Sequence, residues 1–166
     1  MSTQPSAISG QSELWPLLVD EMIDQASSME VDVAKRIIEA YFAGNHKLER
    51  KQMSNLVAIA GETGSVPIVE DFVRYQMGRD TNRRTWNAGH PKSLGNSILD
   101  HLKELKNSAT ALLERARKRA PELAPSPADE KEKNRVWSLL TCRFVAYLEH
   151  AFVYYKNEKG LAGGEQ

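Results

Sequence analysis

The sequence predicts an all-α protein, and three observations support that fold class. Apolar residues recur at intervals of three and four along most of the 166-residue chain, which is typical of the buried face of a helix. Capping residues, glycines and prolines punctuate these apolar stretches. No segment alternates between apolar and polar residues as a half-buried strand does. We therefore expect a helical bundle with two long antiparallel helices and a cluster of shorter N-terminal helices packed on them.

The chain is predicted to begin with a polar tail and an acidic helical segment. Residues 1–11 are polar and include Pro5 and Gly10, so we expect them to be disordered. Ser12 is a candidate N-cap for the apolar pattern over residues 12–43, which predicts two helices or one bent helix. The face opposite the apolar one carries five acids: Asp20, Glu21, Asp24, Glu30 and Asp32.

Two short helices are predicted next, over residues 49–60 and 65–78. Gly61 is expected to end the first one as a left-handed C-cap, because glycine adopts positive φ at little cost. Ser65 caps the second helix and Gly78 ends it. The buried face of this second helix is expected to carry Ile68, Val69, Phe72, Val73, Gln76 and Met77.

The first of the two long helices is predicted to begin after Ser93, which is a good N-cap. It extends from about residue 94 to residue 119, so at ~1.5 Å per residue it is roughly 40 Å long. Its last turn carries four cations: Arg115, Arg117, Lys118 and Arg119. Such a run is consistent with a solvated helix end, where cations interact favourably with the helix dipole, and with a second phosphate-contact patch.

The last helix is predicted to follow a proline-rich linker. Three prolines over residues 120–128 prevent continuation of the preceding helix. Asp129 then caps a helix whose apolar face extends to Gly160. We expect residues 12–160 to form one all-helical domain and residues 161–166 to form a flexible tail.

Charge is segregated along the chain. The 22 Lys and Arg residues balance the 22 Asp and Glu residues, so the formal net charge is zero. Residues 1–49 are nevertheless mainly acidic and residues 50–119 mainly basic, which suggests an electrostatic partner or head-to-tail assembly. No uncharged apolar run approaches the ~18–20 residues of a membrane span. Because the N-terminus also lacks a signal-like segment, we expect a cytoplasmic protein that does not bind membranes.

Motifs for catalysis, cofactors and metals are not recognisable in the sequence. It lacks a glycine-rich phosphate loop, a GxSxG nucleophile elbow and an HExxH zinc motif. The histidines are scattered (His46, His90, His101 and His150), and Cys142 has no partner at ligand spacing. We therefore predict no catalytic residue, no metal, no cofactor and no enzymatic activity.

The basic stretch over residues 72–92, FVRYQMGRDTNRRTWNAGHPK, carries the main functional signal. From Arg74 to Lys92 it contains five Lys or Arg residues and one acid, Asp80. Two aromatic residues, Tyr75 and Trp86, lie among these charges. Arginine neutralises phosphate and a flat ring stacks on a base, so this pattern indicates binding of single-stranded nucleic acid. The alternative is a solvated arginine-rich loop between two helices.

The string KQMSNLVAIAGETGSVPIVEDFVRYQMGRD, residues 51–80, resembles the small all-helical subunits of type III CRISPR effector complexes. The likeness lies in Lys51-Gln52 at the opening of a helix and in Arg-Tyr-Gln-x-Gly-Arg, residues 74–79, at the end of a later one. It implies a non-catalytic subunit of a ribonucleoprotein complex in antiviral defence, with several copies stacked along a filament. It also implies that target RNA or guide–target duplex is held by its phosphate backbone, while guide pairing reads the sequence.

Candidate phosphate contacts follow from the basic stretch and from this resemblance. The first set is Arg74, Arg79, Arg83, Arg84 and Lys92, and the secondary set is Lys51, Arg115, Arg117, Lys118 and Arg119. Trp86 is expected to be either a stacking platform for a base or an anchor in the core.

Two other classes of function fit the same sequence. One is a helical protein–protein interaction or adaptor module without nucleic-acid binding, because aromatic residues and arginine are enriched in protein interfaces. Its site would be the acidic face of residues 13–39 or the long-helix surface that contains Trp137, Tyr147 and Tyr154. The other is a homo-oligomer whose acidic and basic patches satisfy each other.

Overall fold

The structure of the chain is a computed structural model, which describes residues 8–44, 47–125 and 129–162. These residues form five helices and no strand: α1 (Ile8–Phe42), α2 (Arg50–Thr63), α3 (Val66–Arg79), α4 (Leu94–Arg119) and α5 (Glu130–Ala162). The predicted all-α class is therefore confirmed. Among these helices, none is long and apolar enough to cross a membrane.

Capping hydrogen bonds confirm the predicted starts of both C-terminal helices. The hydroxyl of Ser93 accepts a hydrogen bond from the backbone N–H of Asn96 at 3.2 Å, at the start of α4. The carboxylate of Asp129 accepts one from the backbone N–H of Lys131 at 3.0 Å, at the start of α5. Each bond satisfies a donor that the first turn of a helix leaves unpaired. Helix α5 is described as far as Ala162, past the predicted end at Gly160, and residues 163–166 of the predicted tail lie outside the described residues.

Three predictions about the short helices are wrong. Helix α2 continues through Gly61, and Gly64 instead takes the left-handed C-cap conformation with a φ of 59°. Helix α3 likewise continues through Gly78. Ile68 was expected on the buried face of α3, but it is 52% exposed. Glycine permits a helix to end and does not force it to, so the position of the stop depends on tertiary packing.

The N-terminal helix α1 is longer than predicted. It begins at Ile8, inside the segment expected to be disordered, and continues past Ser12 and Ser27 as one helix of 35 residues. The hydroxyl of Ser27 donates to the carbonyl of Ile23 at 2.6 Å, so this polar side chain is satisfied within the helix. The bundle thus has three long helices and two short ones, and residues 1–7 lie outside the described part of the chain.

Side-chain hydrogen bonds show that α1 and α5 are parallel. Near their N-terminal ends, the indole N–H of Trp15 donates to the carboxylate of Glu132. Near their C-terminal ends, the hydroxyl of Tyr155 donates to the carboxylate of Glu39. The two helices therefore remain in contact along most of their length, and this is the most extensive helix pair of the fold.

Helix α4 runs in the opposite direction to α5. The ring centroids of His101 and Phe144 are 4.4 Å apart, and the ammonium group of Lys106 lies 5.1 Å from the ring centroid of Trp137. Residue numbers thus rise on one helix as they fall on the other.

Helix α2 is also antiparallel to α5. The hydroxyl of Ser54 donates to the carboxylate of Glu149, and the thiol of Cys142 donates to the carbonyl of Ala60 at 3.1 Å. These directions bring the C-terminal ends of α1 and α5 to the same end of the bundle as the start of α2.

Gly95 allows α3 to pack closely against the first turn of α4. A Cβ at this position would overlap the Sδ and Cγ atoms of Met77 and would lie 3.1 Å from the carbonyl oxygen of Trp86. The backbone N–H of Gly95 also donates to that carbonyl at 2.9 Å. The end of α3, the following loop and the start of α4 therefore meet at one buried point.

We expect Gly95→Ala to lower the free energy of unfolding by about 1–3 kcal/mol, because the added methyl forces Met77 or the loop to move. Urea denaturation followed by circular dichroism measures the change. The matched control is Gly61→Ala in α2, where no atom lies within 4 Å of the added Cβ. This control should gain about 0.5–1 kcal/mol from helix propensity. An unchanged urea midpoint for Gly95→Ala would contradict the close packing.

Candidate nucleic-acid interface

The loop between α3 and α4 is organised by the one acid of the basic stretch. The carboxylate of Asp80 accepts hydrogen bonds from the backbone N–H groups of Arg84 at 3.0 Å, Thr85 at 2.9 Å and Asn87 at 2.9 Å. Partial burial raises the pKa of Asp80, but these backbone hydrogen bonds outweigh that effect and hold the pKa below its ordinary value. Asp80 therefore shapes the loop as an ionised acceptor.

Trp86 anchors this loop in the core. It is only 1% exposed, and its ring packs edge to face against Phe72 with centroids 6.4 Å apart. The predicted role of Trp86 as a stacking platform is therefore wrong, because a base cannot reach a ring that the core encloses. The alternative expectation, a core anchor, describes its position. An amphipathic indole in a charged segment is compatible with the core and with a ligand-binding surface, so only its tertiary contacts distinguish the two positions.

The loop leaves its cations exposed around that anchor. Arg79, Arg83, Arg84 and Lys92 are all exposed to solvent. Arg83 has a positive φ of 50°, which is uncommon for a residue with a side chain. The backbone N–H of Arg83 donates to the carbonyl of Asp80 at 3.0 Å, which closes a turn, and the Asp80 carboxylate holds the backbone that follows Arg83. Arg83, Arg84 and Lys92 thus belong to a defined loop and Arg79 ends the helix before it, with Trp86 inside and these cations outside.

A second group of cations joins the loop from the connection between α1 and α2. The backbone N–H of Lys47 donates to the carbonyl of Arg84 at 2.8 Å. Lys47, Arg50 and Lys51 are all exposed. We call the combined set the basic end: Lys47, Arg50, Lys51, Arg79, Arg83, Arg84 and Lys92. Lys47 and Arg50 were not predicted as site residues, because the sequence gives no sign that they lie beside the loop.

The cations of the basic end have no acidic partner within 4.0 Å among the described residues. Ion pairs elsewhere in the same region show the contrast. The guanidinium of Arg74 lies 3.6 Å from the carboxylate of Glu70 one turn earlier on α3. Arg74 is exposed and close to the basic end in sequence, but its charge is partly compensated. The unpaired charge is therefore concentrated in the loop and at the start of α2.

The secondary candidates on α4 lie at the opposite end of the bundle. From the start of α4 to Arg117 the helix rises about 35 Å. Arg117 donates to the carbonyl of Pro125 at 2.7 Å, and its guanidinium lies 5.7 Å from the ring centroid of Trp15. Arg119 pairs with Glu21 at 3.7 Å. The structure thus does not bring this run together with the basic end, and two of its four cations make contacts within the fold.

The acidic face of α1 is largely engaged within the molecule. Asp20 lies 3.6 Å from Arg135, and Asp24 forms an ion pair with Arg143, so two acids of α1 contact α5. Glu21 contacts α4 through the pair with Arg119 described above. Trp137 is buried and donates its indole N–H to the carbonyl of Leu102 at 2.8 Å. It therefore does not belong to an exposed surface, contrary to the prediction.

A buried ion pair joins α1 to α4 beside a cleft of about 750 Å³. The Nε2 atom of His101 contacts the carboxylate of Glu30, and its Nδ1 atom lies 3.0 Å from a carboxylate oxygen of Glu104. Burial lowers the pKa of His101, but the hydrogen bonds and charges of the two carboxylates outweigh burial and raise it above 6.5. This cluster links two helices and contains one histidine and two acids.

Metal-binding clusters are not found in the described part of the chain. Within residues 8–44, 47–125 and 129–162, no group of three or more His, Cys, Asp or Glu side chains is arranged to hold a metal ion. His90 is exposed in the loop, and His46 lies outside the described residues. Cys142 is half-buried, and burial raises the pKa of its thiol.

Asp80→Ala should lower the free energy of unfolding by about 1–3 kcal/mol, because it leaves three backbone N–H groups without their acceptor. Since the pKa of Asp80 is lower in the folded state, its contribution is present above pH 3.8 and is lost as the pH falls through the folded pKa. Urea denaturation across this range measures both effects. The destabilisation should be constant near neutral pH and shrink in acid. A constant difference at every pH would show that ionised Asp80 does not shape the loop.

Glu30→Gln should destabilise the fold by about 3 kcal/mol near pH 6, because it removes one partner of a buried ion pair. The raised pKa of His101 means that its stabilising effect is complete below pH 6.5 and declines as the pH rises through the folded pKa. The difference between wild type and variant should therefore be smaller in alkaline solution. Titration of the His101 ring by NMR should give a lower pKa in the variant. An unchanged pKa would contradict the pairing.

Comparisons with known proteins identified no relative of this chain. No protein-family model, no curated protein and no solved structure matches the chain. The resemblance to small subunits of type III CRISPR effector complexes therefore stays a prediction.

Proposed function

We propose that this chain is a non-catalytic RNA-binding subunit of a ribonucleoprotein complex and holds RNA by its phosphate backbone at the basic end. One observation carries the proposal. Two segments that are distant in sequence, residues 47–51 and 79–92, contribute seven exposed cations at one end of the bundle, and no acid among the described residues pairs with them. A phosphate backbone satisfies such a surface and releases counterions when it binds.

Arginine suits this role better than lysine does. Its planar guanidinium can donate two parallel hydrogen bonds to the oxygens of one phosphate. The basic end supplies three such groups, on Arg79, Arg83 and Arg84. Contacts of this kind position a strand and carry no sequence information. The proposed subunit would therefore need another component to select its RNA.

The resemblance over residues 51–80 suggests what that component is. In a type III CRISPR effector complex, guide RNA pairs with the target and proteins hold the backbone. We propose that this chain is a small subunit of such a complex, with other protein subunits as partners. Assembly through the acidic face of α1 has less support, because Asp20, Glu21 and Asp24 already pair with arginines of the same chain.

A groove between α1 and α5 supports protein binding as a second candidate function. It has a volume of about 660 Å³, and its lining includes three tyrosines, Tyr147, Tyr154 and Tyr155. Tyrosine is enriched at protein interfaces because it combines a large apolar ring with a hydrogen-bonding group. An adaptor that uses this groove would bind its partner with little dependence on salt.

The proposal predicts that the protein binds an unstructured RNA of about 40 nucleotides and that affinity falls steeply between about 50 and 200 mM salt. The combined substitution Arg79→Ala/Arg83→Ala/Arg84→Ala should weaken binding. It should also reduce the slope of log affinity against log salt by about 2, since each phosphate contact on a single strand contributes about 0.7. Fluorescence anisotropy with end-labelled RNA measures both quantities.

The matched control is Lys103→Ala/Arg115→Ala/Lys118→Ala, which removes the same charge from exposed positions on α4. Its affinity and salt slope should remain close to those of the wild type. Circular dichroism checks that both variants keep their helices. Equal losses in the two variants would show a general charge effect and would contradict a site at the basic end. Absence of RNA binding by the wild type would favour the tyrosine groove.

A further inference from the structure

Tyr75 is an aromatic side chain that a ligand at the basic end can reach. It lies on α3 one turn before Arg79 and is 57% exposed. The guanidinium carbon of Arg79 lies 5.5 Å from the centroid of the Tyr75 ring, so the cation covers part of the ring. Trp86, by contrast, is enclosed by the core. The exposed ring and the unpaired cation therefore form one unit on the surface of α3.

Side-chain packing does not require the glycine beside this unit. Gly78 follows Tyr75 by three residues and precedes Arg79, within the last turn of α3. A Cβ at Gly78 would have no atom within 4 Å, and its φ does not lie in the left-handed region. Glycine in a helix is less favourable than alanine. An exposed helical glycine next to an exposed ring instead allows a flat ligand to approach the backbone closely.

We propose that Tyr75, Gly78 and Arg79 form a stacking platform for an unpaired nucleobase, so that the ligand of the basic end is single-stranded RNA. This inference depends on the proposed function and deepens it. In a duplex, the bases are already stacked and paired, and a surface ring cannot reach them. In a single strand, a base can stack on the tyrosine while Arg79 contacts the adjacent phosphate.

Three ligands of equal length test the platform: a mixed-sequence single-stranded RNA, its duplex, and an abasic ribose-phosphate strand. Tyr75→Ala should weaken binding of the single strand by about 5- to 150-fold, which is the range for loss of one stacked base. Binding of the abasic strand should not change. The salt slope should also stay the same, because no phosphate contact is removed. Tyr75→Phe should bind as the wild type does, since stacking needs the ring and not the hydroxyl.

Tyr154→Ala is the matched control for exposure. Tyr154 is 58% exposed and lies in the groove between α1 and α5, with its ring centroid 5.2 Å from that of Tyr155. Its substitution should leave RNA affinity unchanged. Equal losses for Tyr75→Ala and Tyr154→Ala would overturn the assignment of the platform to α3.

Gly78→Ala separates binding from stability. With open space around the added methyl, this change should raise Tm by about 1–4 °C. It should also weaken binding of single-stranded RNA by about threefold or more, because the methyl keeps a base away from the helix. Gly61→Ala in α2 has equally open surroundings and no aromatic residue in the adjacent turns. It should raise Tm similarly and leave affinity unchanged.

The outcomes distinguish this inference from the function on which it depends. If the wild type binds the single strand in a salt-dependent way but Tyr75→Ala binds equally well, the platform is overturned and backbone binding stands. The same holds if Tyr75→Ala loses affinity equally for the abasic strand, or if the wild type prefers the duplex. If the wild type binds none of the three ligands, both proposals are overturned.

Discussion

The parallel packing of α1 against α5 is the contact on which the rest of the structure depends. Two parallel helices need a connection that returns the chain to its starting end, and α2, α3 and α4 provide it. The hydrogen bonds from Trp15 to Glu132 and from Tyr155 to Glu39 hold this register at both ends. The same register places acids of α1 opposite arginines of α5. Packing and charge compensation in this bundle are therefore two results of one alignment.

The unpaired cations lie at the other end of the bundle from these acids. Asp20, Glu21 and Asp24 lie in the N-terminal half of α1 and pair with Arg135, Arg119 and Arg143, whereas the loop after α3 and the start of α2 have no acidic partners among the described residues. Asp80 lies within that loop, but its carboxylate is occupied by backbone N–H groups. A chain of zero net charge can therefore present a strongly basic surface. The balance over the whole sequence says little about the charge at a particular place.

Local signals in the sequence predicted which segments are helical, but they did not predict which distant segments contact one another. The all-α class and the caps at Ser93 and Asp129 depend on periodicity and on side chains next to the helix start, which a sequence displays directly. The burial of Trp86 and the approach of Lys47 to Arg84 depend on contacts between distant segments. The helix boundaries predicted at Gly61 and Gly78 were wrong because glycine adopts both the helical and the left-handed backbone conformation, and tertiary packing determines which one occurs. The sequence therefore predicted the segment that carries the candidate site. Only the structure shows that Lys47 and Arg50 join this site and that Tyr75, not Trp86, is its exposed aromatic residue.

The α1–α5 pairing also bears on how the molecule folds. Its hydrogen bonds join residues 116 or 117 positions apart, whereas α2 and α3 are consecutive helices joined by a short turn. Closing so long a loop costs chain entropy before the contacts between its ends stabilise the fold, so we expect these contacts to form late. We expect the segment from α2 to α5 to collapse first and α1 to dock last. Rates of folding and unfolding should therefore respond differently to changes in the two parts, with α1 substitutions acting mainly on unfolding.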